Sequence, residues 1–150
     1  MKKLLLALVA MLMVASVSAQ QYKNSIGLRL GWGVEAQYER HFSSKNYLEA
    51  NLGLYGFNEF SVNATYNWNL CEWNWTPSVG KWFLSAGVGG SFSAWKGGYF
   101  NVGVAGDVAF GLRFKKPFTL SLDYRPTLYF LHNAWGHGFA GVALTCTYNF

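Results

Sequence analysis

From Ser25 to the end of the chain, large apolar side chains return at every second position, with small or polar residues between them. A period of two sends successive side chains to opposite faces of an extended strand, so each run predicts a strand with one apolar and one polar face. Ile26, Leu28, Leu30 and Trp32 alternate with Gly27, Arg29, Gly31 and Gly33 in the first run. Val34–Phe42 is the second, with Val34, Ala36, Tyr38 and Phe42 opposed to Glu35, Gln37, Glu39 and His41, and with Arg40 on the apolar side near the strand end. Ser43–Asn46 is a turn cluster. Strand three, Tyr47–Phe57, sets Leu48, Ala50, Leu52 and Leu54 against Glu49, Asn51, Gly53 and Tyr55. After a turn at Asn58–Phe60, strand four sets Val62, Ala64, Tyr66, Trp68 and Leu70 against Asn63, Thr65, Asn67, Asn69 and Cys71.

Alternation stops at Cys71–Gly80, whose Pro and Gly predict the longest turn. Strand five, Lys81–Ala94, follows, with Trp82, Leu84, Ala86, Val88 and Phe92 opposite Ser85, Gly87, Gly89, Ser91 and Ser93. Trp95–Gly98 is a hairpin turn. Strand six, Tyr99–Phe114, opposes Phe100, Val102, Val104, Val108, Phe110, Leu112 and Phe114 to Asn101, Gly103, Asp107, Gly111 and Arg113. It ends at Lys115-Lys116-Pro117, because Pro cannot donate to a ladder. Strand seven, Phe118–Leu131, has Thr119, Ser121, Asp123 and Arg125 on its polar face. His132–Gly138 is a turn, and strand eight runs over Phe139–Phe150, with Val142, Leu144, Cys146, Tyr148 and Phe150 on its apolar face. The glycines alternate within strands instead of opening a helix, so they serve close packing and curvature and are no phosphate loop.

Eight strands joined by short connections predict an all-β fold, an eight-stranded antiparallel up-and-down barrel. The apolar face must point outward. Each strand carries four or five large apolar groups, while an eight-stranded bore is only just wide enough for side chains. The other face, rich in Gly, Ser, Thr and Asn, would make a poor water-facing surface but fills a narrow lumen, which disfavours a soluble barrel with its apolar face inward. The aromatics sort to the two sets of strand ends as membrane-interface girdles would. Trp32, Phe57, Phe60, Trp95, Tyr99, Phe100, Tyr129 and Trp135 form one set, and Phe42, Tyr47, Trp68, Trp73, Trp75, Trp82, Phe114, Phe118, Tyr148 and Phe150 the other.

Composition supports a transmembrane barrel. Charged residues are 13% of the chain and aromatics 19%, against roughly 25% charged in a soluble domain. Met1–Ala19 has a signal peptide's form: Lys2-Lys3, the apolar run Leu4–Ala15, and Val17-Ser18-Ala19 before Gln20. The run is too short to span a bilayer as a helix, and the absence of a Cys after the cleavage site disfavours a lipid anchor. Cleavage leaves one domain, Gln20–Phe150, and lowers the formal charge from +5 to +3 by removing Lys2 and Lys3. A charge so small and dispersed excludes a nucleic-acid footprint. By parity Cys71 and Cys146 fall on opposite faces, and export would permit a disulfide without fixing one.

Arg29, Glu35, Glu39, His41, Glu49, Asp107, Arg113, Asp123 and Arg125 share the inward face. Three guanidiniums, one imidazole and five carboxylates in a narrow bore must pair, as a plug that holds the barrel closed or, alternatively, as the lining of a narrow passive pore for ions or small solutes. The limited bore of eight strands favours the plug. His132 and His137 flank Trp135, but no third ligand stands nearby, so no metal and no cofactor are expected. A lipid A-modifying enzyme would need His, Ser and a carboxylate on the lipid face near the outer rim. That face is apolar here and His41 lies inward at the opposite end, so no catalytic residues are expected.

On Ile26–Gly31 (IGLRLG), Pro117–Pro126 (PFTLSLDYRP) and the terminal run ending on Phe150, the chain resembles the small eight-stranded outer-membrane barrels of the OmpA/OmpX type. It is similar over nearly all its mature length to the short porin-like members of Gram-negative bacteria. The resemblance implies an integral outer-membrane protein, monomeric, with both termini periplasmic and a structural or surface-associated role. Its implied partners are outer-membrane lipids and lipopolysaccharide and, in transit, periplasmic chaperones and the barrel-assembly machinery. The machinery would read the last strand through Val142, Leu144, Tyr148 and Phe150. Nothing like the peptidoglycan-binding domain of longer relatives follows Phe150, so cell-wall anchoring is not implied, and the short outer loops weaken an adhesin or receptor reading.

Overall fold

A computed structural model describes residues 22–131 and 141–150. The expected signal peptide and the His132–Gly138 turn lie outside the described residues. The regular elements are β1 (Asn24–Leu30), β2 (Val34–His41), β3 (Asn46–Tyr55), β4 (Glu59–Trp73), β5 (Gly80–Trp95), β6 (Phe100–Phe114), β7 (Phe118–Tyr124), β8 (Thr127–Tyr129) and β9 (Val142–Asn149). Each pairs antiparallel with its neighbours, and β9 returns to β1 with Ile26 opposite Tyr148 and Leu30 opposite Leu144. Because β5 also pairs with β6, the ladder closes on itself, and among the described residues β8 pairs on one side only, with β6. β7 and β8 both pair with β6 and are two halves of one stave. The molecule is thus a closed eight-stranded antiparallel barrel.

Three features depart from uniform alternation. The seventh run is broken at Arg125-Pro126, where the proline has no N–H to donate and its carbonyl instead accepts from Gly106 N at 2.8 Å. The β3–β4 hairpin turns early, through Gly56 and Phe57 with φ of 56° and 59°, so β3 ends at Tyr55 and β4 begins at Glu59. Two successive positive φ values suit the twist of a tight hairpin, which a strand through Phe57 would not allow. The third is a bulge in β4: Asn69 pairs with Ser85 but Cys71 pairs with Leu84, leaving Leu70 as an extra residue. A one-residue insertion reverses the facing of everything beyond it.

The bulge corrects the reading of Cys71–Gly80. β4 continues to Trp73 and β5 already begins at Gly80, so the turn narrows to residues 74–79 and is still the longest of the fully described connections. Cys71 is carried to the outer face with Cys146. Both thiols are free and exposed, and they do not occupy opposite faces.

Elsewhere the faces are as the period demands. Mid-strand Leu28, Leu52, Leu122 and Leu144 are 52%, 55%, 56% and 48% exposed. The positions between them are buried, and most are Ser, Thr, Asn or charged groups. Two aromatics expected in the girdles point inward instead: Tyr47 shares a hydrogen bond with Ser85 Oγ at 3.0 Å, and Tyr129 one with Ser93 Oγ at 2.9 Å. Phe83, unassigned by the alternation, is buried inside with the Arg113 guanidinium 4.1 Å from its ring centroid.

Candidate functional site

The barrel's middle is crossed by a layer of ionisable side chains carried by β1, β2, β3, β6 and the seventh stave. Arg29 on β1 faces Glu35 directly across the β1–β2 ladder, and Arg29 Nη1 donates to Glu35 Oε1 at 2.6 Å. In register Arg29 sits level with Thr145 of β9 and Ser121 of β7. Its Nε nevertheless reaches Asp123 Oδ1, one inward position further along, at 2.6 Å, while Thr145 Oγ1 donates to Asp123 Oδ2 at 2.6 Å. The remaining Arg29 nitrogen donates to the Gly141 carbonyl at 2.5 Å.

Arg125 spans the bore. It leaves the broken seventh stave at the proline and crosses to the opposite wall, where Nη1 donates to Glu35 Oε2 at 2.7 Å and Nη2 to Glu49 Oε1 at 2.5 Å. Its Nε stands 3.7 Å from Asp107 Oδ1, an ion-pair distance too long for a hydrogen bond. Asn51 Nδ2 donates to Glu49 at 2.7 Å, and the Tyr55 hydroxyl donates to Glu35. All six charged side chains of the layer are 6% exposed or less.

The layer holds two guanidiniums, Arg29 and Arg125, and four carboxylates, Glu35, Glu49, Asp107 and Asp123. With every group ionised its formal charge is 2 − 4 = −2. The deficit concentrates on Asp107, neither of whose carboxylate oxygens has a hydrogen-bond donor among the described residues. Close by, a Cβ on Gly87 would run into the Asn67 amide oxygen. Gly87 pairs with both Asn67 and Asp107, so only a residue without a side chain lets that amide lie over its strand beside the layer.

Cavities lie on either side. One of about 270 Å³ occupies the end where Asn24 and Phe150 meet, and Glu49 and Asp123 close its floor. A smaller one of about 40 Å³ at the other end is bounded by Arg29 and Arg125, with Glu59 in its wall. The charged layer is the partition between them.

Of the expected lumen residues, Glu39 and His41 sit apart in the larger cavity, His41 Nε2 lying 3.0 Å from Glu39 Oε2. Ser25 Oγ is 3.1 Å from the same nitrogen, so a serine, a histidine and a carboxylate do come together. The geometry is not that of a nucleophile and its base: both partners share Nε2, whereas a triad uses one ring nitrogen for each. Ser25 Oγ donates to Asn149 Oδ1 at 2.8 Å. Arg113 also stands apart, at the cavity mouth, donating to Glu72 Oε1 and Asn69 Oδ1 at 2.7 Å each. Among the described residues no three His, Cys, Asp or Glu side chains converge as a metal site requires.

On β9, Val142 and Leu144 face outward and exposed. Tyr148 shares their parity but is covered by neighbouring rings, Phe118 at 5.3 Å and Phe150 at 6.5 Å. Phe150 N donates to the Asn24 carbonyl at 2.8 Å, which fastens the seam between the first and last strands.

Sequence reading missed Ser25, Glu59, Phe83 and the inward roles of Tyr47 and Tyr129. Parity did carry a signal for the tyrosines: Tyr47 is in phase with Glu49, and Tyr129 with Thr127. Phe83 is likewise in phase with Ser85. Their aromatic character pointed the other way. No protein-family model, curated protein or solved structure matches the chain.

Proposed function

We propose that this chain is an integral outer-membrane protein of the small OmpA/OmpX-like type, with a structural or surface-associated, non-catalytic role and a lumen closed by its charged layer. The observation that carries the reading is the inversion of faces: leucines half exposed in mid-strand, and arginines and carboxylates buried within. In water that surface would far exceed the few hundred Å² of contiguous apolar patch that soluble monomers tolerate. In a bilayer it meets acyl chains, and closure of the ladder lets each stave satisfy its backbone groups against its neighbours instead of against water. Export by residues 1–19, periplasmic termini, monomeric state and assembly through the last strand belong to the same reading.

Expression in a Gram-negative host followed by membrane fractionation tests the location. Recovery in the outer-membrane fraction, resistant to extraction at high pH, is expected, and recovery as soluble periplasmic protein overturns the proposal. Planar-bilayer recording tests closure: a barrel sealed by Arg125 and its carboxylates gives no steady conductance, while persistent open events would make it a narrow passive pore. Unchanged lipid A acylation on expression is the result expected of a non-catalytic barrel.

A further inference from the structure

The charges outside the central layer are divided unequally between the two ends. Lys23, Arg40, Lys45, Lys81, Lys115 and Lys116 all lie at the end where β1 begins and β9 finishes. Among the described residues none of them has a carboxylate within ion-pair distance. The side-chain carboxylates of that rim, Glu39 and Glu72, are engaged by His41 and Arg113. The opposite rim has Lys96 and Glu59, which balance.

Beside the cationic end stands a stack of outward rings. Trp73 and Trp75 lie 5.1 Å apart, Trp75 and Trp82 6.0 Å, and Trp82 and Phe110 5.3 Å. Trp82 Nε1 donates to Thr76 Oγ1 at 3.0 Å, holding the β4–β5 turn against the stack. Lys115 N donates to the Val79 carbonyl at 2.9 Å, which brings the Lys115-Lys116 turn alongside the same turn. Trp75 is 61% exposed and both lysines are exposed.

We propose that the rim formed by Lys115, Lys116 and the Trp73–Trp75–Trp82–Phe110 stack is a binding surface for the headgroups of anionic phospholipids in the leaflet nearest the chain termini. The inference rests on the membrane reading above. Indole rings settle at the level where acyl chains meet headgroups. Ammonium groups just beyond them then stand at the level of the phosphates, where each basic residue near an anionic surface strengthens attachment about fivefold. An acidic protein would find the charge but has no use for outward rings at acyl-chain level.

Of the seven tryptophans in the chain, Trp68, Trp73, Trp75 and Trp82 belong to the cationic end. The test uses the full barrel carrying Trp32→Phe, Trp95→Phe and Trp135→Phe, so that emission reports that end alone. It is folded into phosphatidylcholine vesicles containing rising fractions of phosphatidylglycerol or phosphatidylcholine brominated on the acyl chains. Brominated phosphatidylglycerol should reach half-quenching at a several-fold lower mole fraction than brominated phosphatidylcholine. The preference should collapse in roughly 0.5 M salt, where screening acts within roughly 4–5 Å. It should also be lost in the Lys115→Gln/Lys116→Gln variant and kept in Lys96→Gln. Equal quenching curves, or a preference that survives the double substitution, would overturn the headgroup site while leaving the membrane barrel standing. Quenching by neither lipid would overturn both.

Discussion

Arg125 is the side chain whose loss should be felt most. It crosses the bore to Glu35 at 2.7 Å and Glu49 at 2.5 Å and stands 3.7 Å from Asp107, with 4% of its side chain exposed. In Arg125→Ala, Glu35 keeps Arg29, and Asp123 keeps both Arg29 and Thr145. Glu49 and Asp107 are the groups stranded. Breaking a buried ion pair by removing one partner costs about 3–5 kcal/mol. Stranded carboxylates escape part of that by taking up protons, which places the expected loss near the lower bound, about 3 kcal/mol. At roughly 2 kcal/mol per molar urea, the unfolding midpoint should fall by about 1.5 M. The assay is equilibrium urea unfolding of the detergent- or vesicle-embedded barrel, followed by tryptophan emission. Adding Asp107→Asn should recover part of the loss, because one of the two stranded charges is gone. A midpoint within about 0.3 M of wild type, or no recovery in the double variant, would refute the reasoning that Arg125 neutralises these carboxylates.

Asp107→Asn on its own should raise the urea midpoint, by the equivalent of about 1 kcal/mol, because the aspartate accepts no hydrogen bond from the described residues and the layer carries a formal surplus of negative charge. A clear fall would mean that its 3.7 Å attraction to Arg125 outweighs its burial. Gly87→Ala should destabilise by about 1–3 kcal/mol, since the new Cβ displaces the Asn67 amide, and Gly90→Ala, where a Cβ makes only an ordinary contact with the Gly103 carbonyl at 4.0 Å, should be nearly neutral. Equal effects at the two sites would show that strand glycine content, not the approach of Asn67, governs stability. Phe150→Ala removes the ring stacked on Tyr148 at the barrel seam. It should reduce the fraction of chain recovered folded in the membrane several-fold while leaving synthesis and signal cleavage unchanged. Equal folded recovery would remove Phe150 from the assembly step.

The period-two pattern, a property of the local chain, was enough to determine the all-β class, the sequence of staves and the outward setting of mid-strand leucines such as Leu28, Leu52 and Leu144. It also gathered Arg29, Glu35, Glu49, Asp107, Asp123 and Arg125 on one face, because side-chain direction along a strand needs no knowledge of its neighbours. Two things lay beyond it. The bulge at Leu70 depends on how β4 is matched to β5, so the parity of Cys71, Glu72 and Trp73 could not be read from β4 alone. The second is who meets whom across the bore. Arg29 ignores its in-register neighbours for Asp123, and Arg125 passes over the adjacent Asp107 to Glu35 and Glu49 on the far wall. Those choices follow from the stagger with which the sheet closes and the reach of a guanidinium, quantities that exist only once the ends of the sheet have met.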